Sequence, residues 1–241
     1  DGDDYVVTGS KIWTSAAERA DHIFMLVRTD PNAKPQLGIT FLLAEMDSPG
    51  IAVEPLLAFN GKRLWNQVFF EQVRIPRENR LGEENQGWTV AKNLLGNERL
   101  LVSRVAENRR ILANILATLD ADLLEGFSAK VTALKIRLEA LDKTALRLLT
   151  LFDEGQEIGA EPSMLKLKGS QLVQDMDLVL YEVAGYYGMP LDSVMRGDTP
   201  VGRDYADMAA SGMFHHRGFT IAGGTSEIQR NIIARQVLGL S

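Results

Sequence analysis

Two periodicities divide the chain. In its first third, apolar residues fall in short compact runs separated by turn residues. Tyr5-Val6-Val7-Thr8-Gly9 and Lys11-Ile12-Trp13-Thr14 read as two short strands around a Gly9-Ser10 turn. Residues 22–28 (HIFMLVR) and 39–44 (ITFLLA) suit buried strands, and residues 51–56 and 66–73 supply two more. Pro31, Asn32, Pro35, Gly38, Pro49-Gly50 and Asn60-Gly61 punctuate them. This pattern predicts an antiparallel β domain, a small barrel or sandwich, over residues 1–79. From Gly87 onward the apolar spacing becomes helical: Val90, Leu94, Leu95, then Leu101, Val102, Val105, then Ile111, Leu112, Ile115. Residues 130–152 place Leu134, Leu138, Leu141, Ala145 and Leu148 on one face. Further helices are expected over residues 164–186, near 202–216, and after Thr225. Leu-rich stripes joined by polar loops predict an up-down four-helix bundle over residues 80–241. The fold class is therefore α+β.

Composition narrows the function classes. The 241 residues carry 26 Lys+Arg against 32 Asp+Glu, a formal charge of -6, which disfavours a broad nucleic-acid footprint. Hydrophobic residues at 45% and charged ones at 24% exclude a disordered chain. With no cysteine, disulfides, thiolate metal sites and thiol nucleophiles are excluded. No apolar run is long enough to span a membrane, and a cytoplasmic setting is the simplest expectation.

Several segments could carry chemistry. Gly223-Gly224-Thr225-Ser226-Glu227 opens a helix in which Ser226 and Gln229 fit a capping box, Ile228, Ile232 and Val237 trace an apolar stripe, and Gly239 suits the end. Free amides at such a start suit an anion or an oxygen-rich cofactor, although an ordinary capped helix would look the same. Trp13, beside Thr14 and Ser15, could hold a flat ring and offer it a donor, or simply fill a core. Glu98-Arg99 places a carboxylate on a bundle helix, either poised as a general base or solvated. His215-His216 is half a metal site with no completing ligands, so a surface or packing role is expected, and no metal. Asp175 and Asp177 read as polar-face residues.

Together these residues resemble the acyl-CoA dehydrogenase family of flavoproteins. The match lies in Gly9-Ser10-Lys11-Ile12-Trp13-Thr14-Ser15, in Val73-Arg74-Ile75-Pro76-Arg77-Glu78-Asn79-Arg80-Leu81-Gly82, and in the segment from Gly223 to Leu240 (GGTSEIQRNIIARQVLGL). The stretch from Gly87-Trp88 to Asn97-Glu98-Arg99 further resembles large subunits of pimeloyl-CoA dehydrogenase-like enzymes. The resemblance implies a chain that lacks the family's N-terminal helical domain and the opening strand of its β domain, consistent with the abrupt Asp1-Gly2-Asp3-Asp4 start. It implies FAD as cofactor, an acyl-CoA substrate, a place in fatty acid metabolism, and electrons leaving to an electron-transfer flavoprotein. Trp13 would pack along the flavin, with Ser15 near its N5 edge and Thr14 as the alternative if the register shifts by one. Phe127, Thr225 and Glu227 would contact the cofactor, and Arg99, Gly223 and Gly224 the substrate.

Many members place the catalytic Glu where this chain has Gly223. A minority, isovaleryl-CoA dehydrogenase among them, draw the base from a bundle helix just before an Arg, which Glu98-Arg99 matches. Two further departures concern the cofactor. Leu124 stands where an Arg often precedes Phe127 by three residues, and the Gly-rich loop reads Ala184-Gly185-Tyr186-Tyr187-Gly188. The resemblance implies a homodimer or homotetramer; these departures admit a heteromer. A catalytically silent or half-site subunit and a flavin oxidase of the same fold are the competing readings.

Overall fold

The computed structural model describes residues 1–98, 103–156, 158–191, 197, 199 and 201–240. They form two compact units, Asp1–Asn97 and Glu98–Ser241.

The first unit holds β1 (Asp4–Ser15), β2 (His22–Arg28), β3 (Ile39–Glu45), β4 (Ile51–Leu57), β5 (Arg63–Pro76) and β6 (Arg80–Leu81). They make two three-stranded antiparallel sheets, ordered β1-β5-β4 and β2-β3-β6. Met25, Leu42, Ala44, Val68, Phe70, Val73 and Ile75 form one shared core, so the sheets sandwich it. The expected Gly9-Ser10 turn is not there: β1 runs through it as a single strand. A bulge in β5 takes its place, with Gln72 at φ 52 and its backbone and side-chain N–H groups both donating to the Thr8 hydroxyl, at 3.2 and 3.1 Å. The bulge shifts register between Val7 and Gly9, so pairing with β5 continues on both sides of it. It also flips the parity of β5, and Val68, Phe70, Val73 and Ile75 all face inward. The unit ends in α1 (Gly87–Glu98). Gly87 opens this helix against β3, where a Cβ would lie 2.7 Å from the Phe41 amide nitrogen.

The second unit contains α2 (Val105–Thr118), α3 (Ala121–Asp153), α4 (Glu161–Ala184), α5 (Asp204–Asp207), α6 (Ala209–His216) and α7 (Ser226–Leu238). Ile111 and Ile115 of α2, Leu134, Leu138 and Leu141 of α3, and Leu165, Leu172, Val173 and Met176 of α4 make its core. α4 is the central helix and packs against α2, α3, α6 and α7. α3 starts at Ala121, earlier than the apolar stripe alone indicates, because Asp120 caps it by accepting from the Leu123 amide at 3.0 Å. Asp177 is not on a polar face. It is 3% exposed, on the inner side of α4 beside His216.

Candidate functional site

The first unit carries a groove of about 600 Å³ whose walls include Lys11, Ile12, Trp13, Thr14, Ser15 and Trp88. Its shape starts with a second bulge. Lys11 pairs with Val68 and Thr14 with Asn66, so Ile12 and Trp13 together face Gln67. Trp13 adopts φ 64, an unfavourable conformation for a residue with a bulky side chain, and leaves its indole 65% exposed. Trp65 meets that indole edge-on, with centroids 6.3 Å apart. Phe24 stacks on Phe41 at 5.5 Å, and both also line the groove. Among the described residues the Thr14 and Ser15 hydroxyls have no hydrogen-bond partner. Lys11 donates from Nζ to the Leu26 carbonyl at 2.6 Å, and burial lowers its pKa from the ordinary lysine value. The result is an apolar slot with a polar edge.

In the second unit, Gly223 at φ 67 and Gly224 at φ 86 turn the chain into α7. The φ of 86 at Gly224 favours glycine, and a Cβ there would also press on Gln229 Nε2 at 2.5 Å. The cap differs from the expected box. Thr225, not Ser226, is the N-cap, its hydroxyl accepting from the Ile228 amide at 3.3 Å. Gln229 points to the Gly223 and Gly224 carbonyls instead of back to the cap amide. The one-residue shift follows from the two glycines, which let Thr225 take the extended backbone a cap needs. Hydrogen bonds from its own amide and from Thr225 lower the Glu227 pKa. The expected apolar stripe of α7 is largely solvent-facing, with Ile228 50% and Val237 65% exposed. Phe127 lies on α3, partly buried against the helical core, with Lys130 Nζ 5.7 Å from its ring centre. Glu98 is the last residue of α1; its side chain, and all of Arg99, fall outside the described residues.

Sequence patterns missed a buried ionic chain in the same unit. His216 Nδ1 lies 2.7 Å from Asp177 Oδ2, and its Nε2 lies 3.5 Å from Glu107 Oε1. Arg104 Nη1 reaches Glu107 Oε2 at 2.9 Å while its guanidinium covers the Phe219 ring at 3.4 Å. Burial opposes charge on His216, yet hydrogen bonds to Asp177 and Glu107 prevail and raise its pKa to about 9. The hydrogen bond from His216, with desolvation opposing and Arg104 assisting, pulls Glu107 to about 2. Burial raises the pKa of Asp177 against the pull of His216. Lys166, 2% exposed, has no partner for its Nζ among the described residues, and burial lowers its pKa.

The pattern of the acyl-CoA dehydrogenase middle domain matches residues 1–73, and that of the acyl-CoA dehydrogenase C-terminal domain matches residues 85–238. The chain belongs to the acyl-CoA dehydrogenase family. Among its relatives, acyl-CoA dehydrogenase FadE34 of Mycobacterium tuberculosis is 31% identical over 239 residues, covering 98% of this chain and 31% of that protein. A solved Tcur3481-Tcur3483 steroid acyl-CoA dehydrogenase superposes with a TM-score of 0.88 at 26% identity, over 100% of this chain and 62% of that one. The ChsE4-ChsE5 complex of Mycobacterium tuberculosis gives a TM-score of 0.83 at 28% identity, covering 100% and 63%. The chain thus spans less than two thirds of each of these relatives. Within the family's middle domain, the exposed indole of Trp13 stands out as a ring-sized apolar surface left open on a strained strand. Asn66 and Glu18 carried no sequence signal, since the strand of Asn66 also holds Gln67, Glu71 and Gln72.

Proposed function

We propose that the complete protein is an FAD-dependent acyl-CoA dehydrogenase, converting an acyl-CoA thioester to a trans-2-enoyl-CoA and delivering electrons to an electron-transfer flavoprotein. The observation that carries this reading is the groove around Trp13. A flavin ring is flat, apolar on its faces and polar along its edge. The groove offers an open indole for the face and two uncommitted hydroxyls, Thr14 and Ser15, for the edge, so the residues fit the group. When bound, the flavin supplies the acceptor for the hydride that leaves the substrate's β-carbon.

The remaining roles fall to this chain's own side chains. Glu98 is the proposed base, taking the α-proton as the Cα–Cβ double bond forms. Gly223, at the position many members use for that carboxylate, has no side chain to do so. Gly223 and Gly224 give the substrate close access to backbone, and Arg99 is proposed as a substrate contact. Thr225, Glu227 and Phe127 are proposed on the cofactor side. The structural relative named as a steroid acyl-CoA dehydrogenase supports a bulky alicyclic acyl group over a straight fatty chain. The relative crystallised as a two-protein complex supports a dissimilar partner subunit.

The test is anaerobic titration of the complete, flavin-loaded protein with straight-chain and steroid-derived acyl-CoA thioesters. Bleaching of the flavin band by one class supports the reading and names the substrate. Flavin that never bleaches indicates a silent subunit, and rapid reoxidation by oxygen with peroxide formed indicates an oxidase.

A further inference from the structure

The bend that exposes Trp13 is held from behind. Trp13 at φ 64 and Ala16 at φ 57 both occupy left-handed backbone, which side chains with a Cβ disfavour. Such geometry persists only where neighbouring groups over-determine it. Asn66 is that neighbour. It sits on β5 opposite Thr14, 2% exposed, and does not line the groove. Its Nδ2 donates to the Thr14 carbonyl at 3.1 Å and to the Glu18 carboxylate at 2.7 Å. Both amide hydrogens are therefore committed, one to the strand just after Trp13 and one to the short helical turn Ala17–Arg19. Between those attachment points Ala17, 4% exposed, plugs into the sandwich core. The segment from Trp13 to Glu18 is closed into a braced loop. Arg19 flanks Glu18 at 3.3 Å on the solvent side.

We propose that Asn66, acting through Glu18, is a positioning residue that sets the Trp13–Ser15 bend before a ring arrives. The indole and the two hydroxyls are then presented together, and binding does not have to order them. Asn66 is chemically suited to this because both its targets are oxygen acceptors. An aspartate there has the same shape but would aim a carboxylate at a carbonyl and at a second carboxylate. This inference deepens the proposed function, since the ring in question is the flavin.

The chain's three tryptophans provide a readout that needs no turnover. Trp13 and Trp88 line the groove and Trp65 packs on Trp13, so fluorescence from these three residues reports this site. In the complete protein, Asn66→Asp is expected to raise acrylamide quenching of the flavin-free form. It is also expected to weaken FAD binding, titrated by tryptophan quenching, by about tenfold or more. Glu18→Gln still accepts from Asn66 and is expected to bind FAD as the wild type does, whereas Glu18→Ala shows an intermediate loss. A lower melting temperature with unchanged acrylamide quenching and unchanged FAD affinity makes Asn66 a stability residue only and overturns the proposal. If Asn66→Asp does not fold, the exposed Glu18→Ala decides alone, and wild-type behaviour in both readouts overturns it. Failure of the wild type to bind FAD sinks the flavin reading, while the acrylamide comparison still judges the brace.

Discussion

His216 is held as a cation inside the helical unit, and its two carboxylate neighbours set a pH dependence of stability. Its folded pKa of about 9 lies above the ordinary 6.5, so its contribution is full below about 6.5 and is lost as pH rises through about 9. Glu107, lowered from 4.5 to about 2, contributes above 4.5 and loses that contribution as pH falls through about 2. Asp177 works the other way, because burial raises its pKa and penalises its charged form. The expected outcome is a melting temperature that falls from about pH 7 to 10 in the wild type and falls less steeply in His216→Gln. Equal slopes in the two proteins would remove His216 from the account. Glu98→Gln is expected to keep flavin bound while turnover drops by about 10²–10⁴-fold, measured as dye reduction. Near-normal turnover returns the base to another residue. Asp177 was not legible as a core residue, because a buried charge breaks no periodicity when its partner lies 39 positions away.

At the scale of elements, α4 approaches the segment just before α2 closely. A Cβ on Gly169 of α4 would lie 2.0 Å from the Ser103 carbonyl oxygen, and Asn108 donates to the Gly169 carbonyl at 3.2 Å. Gly169→Ala is expected to destabilise by about 1–3 kcal/mol, read by denaturant unfolding, although alanine favours helix. An unchanged or higher midpoint contradicts that close approach. Thr225→Ala removes the α7 cap and is expected to cost about 1 kcal/mol by the same measurement. Helix existence was readable from apolar spacing, since stripes such as Leu134, Leu138 and Leu141 face the core. Helix starts were less so. Asp120 capped α3 upstream of the stripe, and two glycines moved the α7 cap to Thr225. The continuity of β1 escaped the sequence because the deviation sits on its partner, at Gln72.

At the scale of the whole molecule, Ile136, Leu146, Leu149 and Phe152 of α3 and Val237 and Leu238 of α7 all lie exposed. Exposed apolar side chains on both helices are open to cover by another part of the complete protein or by a partner chain. The complete protein is expected to sediment as a dimer or larger at micromolar concentration, and native mass spectrometry should resolve whether one or two chain types compose it. A monomer under those conditions overturns the assembly reading.

The sequence by itself determined the α+β class, the sandwich and the helical unit. Each rests on local periodicity, which a chain must obey to bury one face of every element. It also marked Trp13, Thr14, Ser15 and the Gly223-Gly224-Thr225 start as candidates for chemistry. Only the tertiary structure decided which polar groups are buried together and which backbone is strained. Asn66 against Thr14 and Glu18, and His216 against Asp177 and Glu107, are pairings between distant positions. Their physics lies in desolvation and hydrogen-bond geometry, and neither quantity exists until the chain has folded.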